Sequence, residues 1–351
     1  MPRAAAVAER HPTPVRGSGR RIAPAVTLAL ALALLVVVAL ASLAIGARQV
    51  PLDVVFAAFA SPVPGDADQV VVRDLRLPRA VIGLMAGAAL GVVAALLQGA
   101  TRNPLADPGL LGINAGASLA VVAAIAFLGI ASPLGFVWFA FGGAAVAAAV
   151  VVASGSSGGG GASPAKLALT GAALTAATTP LITLLRISAE GTLSQYRFWS
   201  VGSLSGRGME TAAVLWPFLL VGLVLAAWLA ARLNLLALGD DVARGLGVRL
   251  ATTRVATALA VILLAGTATS LAGPIALLGL AVAHAARGLV GGDYRWIMPL
   301  SAVLGATVLL AADIIGRVVV APAELEAGIV AAIVGAPVLI ALVRRTKGSA
   351  L

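Results

Sequence analysis

The chain has 351 residues, 60% of them hydrophobic and only 11% charged, where a soluble chain is about a quarter charged; so few polar side chains cannot cover so apolar a core, and a water-soluble monomer is excluded. It has no cysteine and two histidines, His11 and His284, which excludes a disulfide framework, thiolate metal centres and a cysteine nucleophile. The net charge of +10 lies between apolar runs, with no basic stretch interleaved with aromatics, and so points to membrane topology and away from nucleic acid.

Residues 1–23 are polar and basic and read as a disordered cytoplasmic tail. Pro24 to Gly46 is one apolar run; a secretory signal has an apolar region of only about 7–15 residues, so this run reads as a retained span, with cleavage near Ala47 as the alternative. Further apolar runs follow at about 78–98, 108–130, 133–153, 165–186, 211–231, 251–271, 274–291, 296–318 and 325–343. The expectation is an all-α, polytopic membrane protein with ten spans over 24–345 and a short cytoplasmic tail at 346–351. Asp107-Pro108, Ser132-Pro133 and Ser163-Pro164 each place a capping oxygen before a proline suited to a first helical turn. The connection 47–77 is long enough to carry an interfacial helix. If the N-terminus is cytoplasmic, 16 of the 24 Lys and Arg residues fall on the inside, which favours both termini inside.

Chemistry-bearing constellations are few. There is no GxxxxGK[ST] loop to cradle phosphate. Gly155-Ser156-Ser157-Gly158 matches an intramembrane protease motif, but it sits in a glycine-rich stretch, 154–163, that reads as a linker. Three stretches are more informative. The first, Arg76 to Gly116, has a basic entry, a Gly/Ala-rich span and two breaks, Asn103-Pro104 and Asp107-Pro108. Non-helical backbone at membrane depth is tolerated against protein or a watery cavity, so this break reads as the lining of a pathway or, alternatively, as a plain cytoplasmic turn. The second, Leu235 to Arg249, predicts a short amphipathic helix. Leu238, Val242 and Leu246 form a stripe, Asp240 and Asp241 favour its positive end, Asp240 is spaced to pair with Arg244, and Gly245 and Gly247 stop it. It is either a docking surface or a helix on lipid headgroups. The third, Leu271 to Trp296, holds His284, which reads best as a packing histidine. Asp313 is the one acid inside an apolar run, and it is spaced four residues from Arg317 as a structural pair or a functional group.

The pieces RLPR (76–79), AALLQG (94–99), RNPLADPGLLG (102–112), FWSVGSLSG (198–206), LGDDVARGLGV (238–248), GPIALLGLAVAHAAR (273–287), GGDYRW (291–296) and APAELEAGIVAAIVGAPVLIALV (321–343) together resemble the FecCD family. These are permease subunits of bacterial ABC importers for iron–siderophores, haem and cobalamin. The resemblance implies a type II importer permease in the bacterial inner membrane, a second permease copy or partner, separate ATPase subunits that carry ATP and Mg, and an extracytoplasmic binding protein. No cofactor or metal on this chain itself is implied. By similarity Leu238, Gly239, Asp240, Asp241, Ala243, Arg244, Leu246 and Gly247 couple to the ATPase. Arg76, Arg79 and Arg317 meet acidic residues of the binding protein. Asn103 and Leu105 form a cytoplasmic gate facing Pro164 and Ala165. The family usually has proline where this chain has Ala283, which predicts a straighter helix around His284. An ion-coupled secondary transporter is the rival; it would need buried acids on several spans.

Overall fold

The computed structural model describes residues 22–130, 132–156, 164–188 and 200–348. The expected tail (except its last two residues), most of the glycine-rich stretch with its Ser157, the Ser163 cap and the start of the FWSVGSLSG piece lie outside the described residues.

Among the described residues all regular structure is helical. In chain order the helices are α1 (Pro24–Ala44), α2 (Leu52–Ala60), α3 (Ala67–Val70), a π-helical segment Val71–Arg76, α4 (Leu77–Thr101), α5 (Ile113–Leu128), α6 (Pro133–Ser156), α7 (Pro164–Ser188), α8 (Met209–Leu236), α9 (Asp240–Gly245), α10 (Leu250–Ala272), α11 (Leu278–Val290), α12 (Tyr294–Val319) and α13 (Ala327–Gly348). Seven helical stretches are long and apolar enough to cross a membrane, and three more apolar helices, at Ile113–Leu128, Leu278–Val290 and Ala327–Pro337, are shorter. The connection after α1 carries the expected short helix, α2. Helix α13 runs on through residue 348, so the backbone of 346–348 is helical.

Helix α4 is the axis of the molecule. Most of its apolar window, 78%, is buried, against 11% for both α1 and α7. Its sequence explains this. Gly83, Gly87 and Gly91 recur every fourth residue and present a flat face. A Cβ on Gly91 would lie 2.0 Å from the Ser301 carbonyl oxygen, and one on Gly87 2.5 Å from that of Gly305. The backbones of α4 and α12 are thus in direct contact. Association in lipid gains little from the hydrophobic effect, so such close packing is what holds the pair. The periphery shows the converse pattern: Leu30, Val37, Val146 and Leu169 are 59–73% exposed, side chains suited to a lipid surround.

Ser132 caps α6 as its sequence implies, accepting from the Gly135 N–H at 3.1 Å. Two other helix starts differ from expectation. Pro108 and Pro274 do not open helices; α5 begins at Ile113 and α11 at Leu278. Asp107 does cap, but it caps a turn. Its Oδ1 accepts from the Gly109 N–H at 2.8 Å, and the turn closes through Ile113 N–H to the Pro108 carbonyl at 3.1 Å. Gly112, at φ 74°, then redirects the chain. It passes so close to α7 that a Cβ there would lie 2.9 Å from the Gly171 carbonyl oxygen. Residues 273–277 are likewise irregular, and Leu277 sits at φ 67°. Both breaks pack on protein, the condition under which non-helical backbone is tolerated in a membrane. The Asn114 side chain on α5 donates to the Ile275 carbonyl at 3.5 Å, so the helix that follows one break is tied to the other.

Candidate functional site

Charged groups gather at the two ends of α4, separated by its length of about 37 Å. At the Leu77 end, the π-helical segment and the first turn of α4 bring Arg76 and Arg79 inward, and α12 brings Asp313 and Arg317. All four are buried. Arg79 Nε donates to both Asp313 carboxylate oxygens at 2.9 and 3.1 Å, while its Nη1 donates to Glu324 at 2.7 Å. Arg317 Nε lies 3.1 Å from Asp313 Oδ2, an oxygen that Arg79 also reaches, and its terminal nitrogens donate to the Ser42 carbonyl and hydroxyl on α1 at 3.0 and 2.9 Å. Arg76 turns to the carbonyls of Leu43 and Ala44 at 2.8 and 2.7 Å and to that of Arg48. The expected Asp313–Arg317 pair is therefore present. Spacing could not show that Arg79, from a helix far away in sequence, is the second cation on the same acid.

Above these residues lies an open cavity of about 390 Å³ whose walls include Arg48, Arg76, Arg79, Arg207 and Arg317, with Asp74 and Glu324 as its acids. Counting the wall residues, five cations face two acids, and Asp313 behind them adds a third. Arg48 is satisfied by Asp68 at 2.7 Å. Arg207 donates to the Ser270 carbonyl, and burial pushes its guanidinium down to about 10, still charged at neutral pH. Among the described residues neither Arg76 nor Arg207 has a carboxylate within ion-pair distance. The mouth of this cavity is thus electropositive and fit to receive carboxylates.

At the Thr101 end, α9 forms as the sequence implies. Leu238, Val242 and Leu246 are 60%, 49% and 57% exposed, an apolar stripe facing outward while Ala243 is buried beneath it. Gly239 at φ 109° and Gly247 at φ 84° bracket the helix. The expected Asp240–Arg244 pair is not formed. Arg244 pairs with Asp241 at 2.5 Å, and Asp240 instead bridges Arg102, at the end of α4, to Arg254, on α10 at 2.6 Å. The reason is geometric: two cations from other helices flank the half-buried Asp240, while Asp241 projects into solvent.

Arg102 at φ 50° turns the chain out of α4, directly before the expected gate residues. Asn103 Oδ1 accepts from the Leu105 N–H at 3.0 Å, making a tight turn of its own. Pro164 and Ala165 open α7; their side chains lie outside the described residues. Close by, a polar knot joins α8 to α12. Asn234 donates to Asp293 at 2.6 Å and accepts from the Tyr294 N–H at 2.9 Å, and Arg287 donates to the Tyr294 hydroxyl at 2.8 Å. His284 is half-buried on α11, which runs unbroken through Ala283.

Known proteins share this architecture. The FecCD transport family profile matches residues 34–345. The ferric enterobactin transport system permease protein FepD of Escherichia coli is 47% identical over 311 residues, 88% of this chain and 92% of that one. The probable siderophore transport system permease protein YfiZ of Bacillus subtilis is 42% identical over 291 residues, 83% of this chain and 87% of that one. Among solved structures, an inward-facing metal-chelate type ABC transporter superposes with a TM-score of 0.79 at 28% identity, covering 92% of this chain and 99% of that one. With the profile spanning most of the sequence and the fold matching throughout, the chain belongs to the FecCD transport family, the permease subunits of ABC importers.

Proposed function

We infer that this permease carries a large iron chelate, a ferric siderophore or a haem- or cobalamin-sized relative, across the bacterial inner membrane in ten spans with both termini cytoplasmic. The observation that supports this best is the pairing of an arginine-lined cavity at one end of α4 with an exposed apolar helix at the other. The cavity end faces outward and receives acidic residues of an extracytoplasmic binding protein at Arg76, Arg79 and Arg317. The Asp240 end faces the cytosol, where Leu238, Val242 and Leu246 seat in a partner ATPase that binds ATP and Mg. Motion of α9 reaches the gate turn at Asn103 and Leu105 through the Asp240–Arg102 ion pair. A second permease copy or partner completes the pathway. Asp313 is already paired with two arginines, whereas an ion-coupled carrier would need buried acids on several spans, which weighs against that reading.

The test is uptake of a panel of radiolabelled ferric siderophores, haem and cobalamin into proteoliposomes. Accumulation requires the permease, the ATPase, the binding protein and ATP together. Uphill accumulation by the permease alone would overturn the proposal.

A further inference from the structure

Glu324 is the one carboxylate in the arginine cavity that reaches Arg79 from the solvent side. It lies in the irregular connection between α12 and α13, with its side chain 38% exposed, and sits 2.7 Å from Arg79 Nη1. The inward side of the same guanidinium is committed to the fully buried Asp313, at 2.7 Å. Arg79 therefore has two edges with different duties: one fixed within the helix bundle, the other holding an acid that is exposed and mounted on a connecting segment. That segment is itself anchored, since the Leu325 N–H donates to the Gly316 carbonyl at 3.0 Å, so Glu324 is presented to Arg79 and not merely drifting near it.

We propose that Glu324 is an intramolecular competitor for docking: it occupies the outward edge of Arg79 in the undocked permease and yields it to a carboxylate of the incoming binding protein. This rests on the assignment of the cavity as the docking site. Guanidinium–carboxylate geometry gives the edge a single bidentate or end-on partner at a time. A docking carboxylate must therefore displace Glu324 or settle on Arg76 and Arg207, which hold only carbonyls. The displaced Glu324, left in the same cavity, repels the docked acid. The permease thus lowers its own affinity for the binding protein, which favours release after delivery.

The experiment uses the whole transporter, permease with its ATPase in nanodiscs, and measures binding of its own binding protein by interferometry. Glu324→Gln keeps the shape and removes the charge; it is expected to tighten binding about three- to fivefold, the scale of a partly exposed ion pair. The gain should shrink between about 0.15 M and about 0.5 M salt as screening shortens. Glu324→Asp, which keeps the charge, should stay nearer the parent than Gln does. Arg76→Gln is the control on the docking assignment and should weaken binding in both backgrounds. If Glu324→Gln binds no tighter while Arg76→Gln still weakens docking, the competitor role is refuted and the docking site stands. If neither substitution changes affinity, the docking assignment falls and the competitor role with it.

Discussion

Replacing Asp313 by Asn tests whether the buried charges hold the helices together. The side chain has no exposed surface, and it is the shared anion of Arg79 and Arg317, whose side chains are 10% and 3% exposed. Asn keeps the shape but leaves two guanidinium groups buried with less negative charge. Breaking a buried pair by removing one partner costs about 3–5 kcal/mol. Arg79 retains Glu324 and Arg317 retains the two oxygens of Ser42, which places this case near the lower figure, about 3 kcal/mol. At about 2 °C per kcal/mol for a chain of this size, the midpoint of a tryptophan-fluorescence melt should fall by about 6 °C. Glu324→Gln, acting on the exposed edge, should shift it by no more than about 2 °C. Replacing Arg79, Asp313 and Arg317 together by leucine removes the buried acid and both of its guanidinium partners and leaves only the partly exposed Glu324 without its ion pair, so it should cost less than Asp313→Asn alone. A melt of Asp313→Asn indistinguishable from the parent, or a triple variant worse than the single one, would refute the electrostatic account of this end of the bundle.

Three further outcomes are expected. Gly91→Ala drives a methyl into the Ser301 carbonyl and should cost at least about 1–3 kcal/mol, whereas Gly142→Ala, with nothing within 4 Å of its Cβ position, should be neutral or stabilising; paired melts decide it. Val242→Asp with Leu246→Asp should abolish co-purification of the ATPase, a loss of about 30-fold or more in affinity if the stripe is a hot spot, while circular dichroism of the permease is unchanged. The Asp293 carboxyl is held below its ordinary value of 3.8, first by the Arg295 N–H and also by Asn234, against the opposing effect of burial. Its contribution to stability is therefore present above that value and lost as pH falls through the folded-state pKa. Asp293→Asn should flatten the acid limb of a melting series taken from pH about 7 to about 3, and a limb identical to the parent would contradict the capping role.

What was legible in the sequence was set by local rules. Helix positions follow from runs of apolar residues, and the Gly/Ala-rich composition of α4 marks it as a span that backbones can approach closely. The α9 helix was readable because two acids, an apolar stripe and two glycines all fall within a dozen residues. The starts of α5 and α11 were not readable. Asp-Pro and Gly-Pro satisfy the local preference for a helical first turn, yet here α7 approaches residue 112 so closely that the backbone turns before it coils. A tertiary contact has overridden a capping signal, and no local pattern announces it.

The ion pairs divide along the same line. Spacing of four residues proposes Asp240–Arg244 and Asp313–Arg317. The second forms because both groups are buried on one helix with no solvent to compete. The first does not, because an exposed pair at that spacing gains only about 0.3–0.5 kcal/mol, which two arginines arriving from other helices readily outweigh. Arg102 and Asp240 are 138 residues apart, and Arg79 and Asp313 are 234 apart; only the folded chain brings them together. The two acids then do the same thing at opposite ends: each fastens an arginine at one end of α4 to another helix. The end near Asp313 is buried and doubly held, so it resists movement. The end near Asp240 is partly solvated and its pairs are cheap to break. On the proposed coupling role of α9, a push on that helix is expected to be taken up at Arg102 and the turn that follows it, while the far end of α4 stays in place.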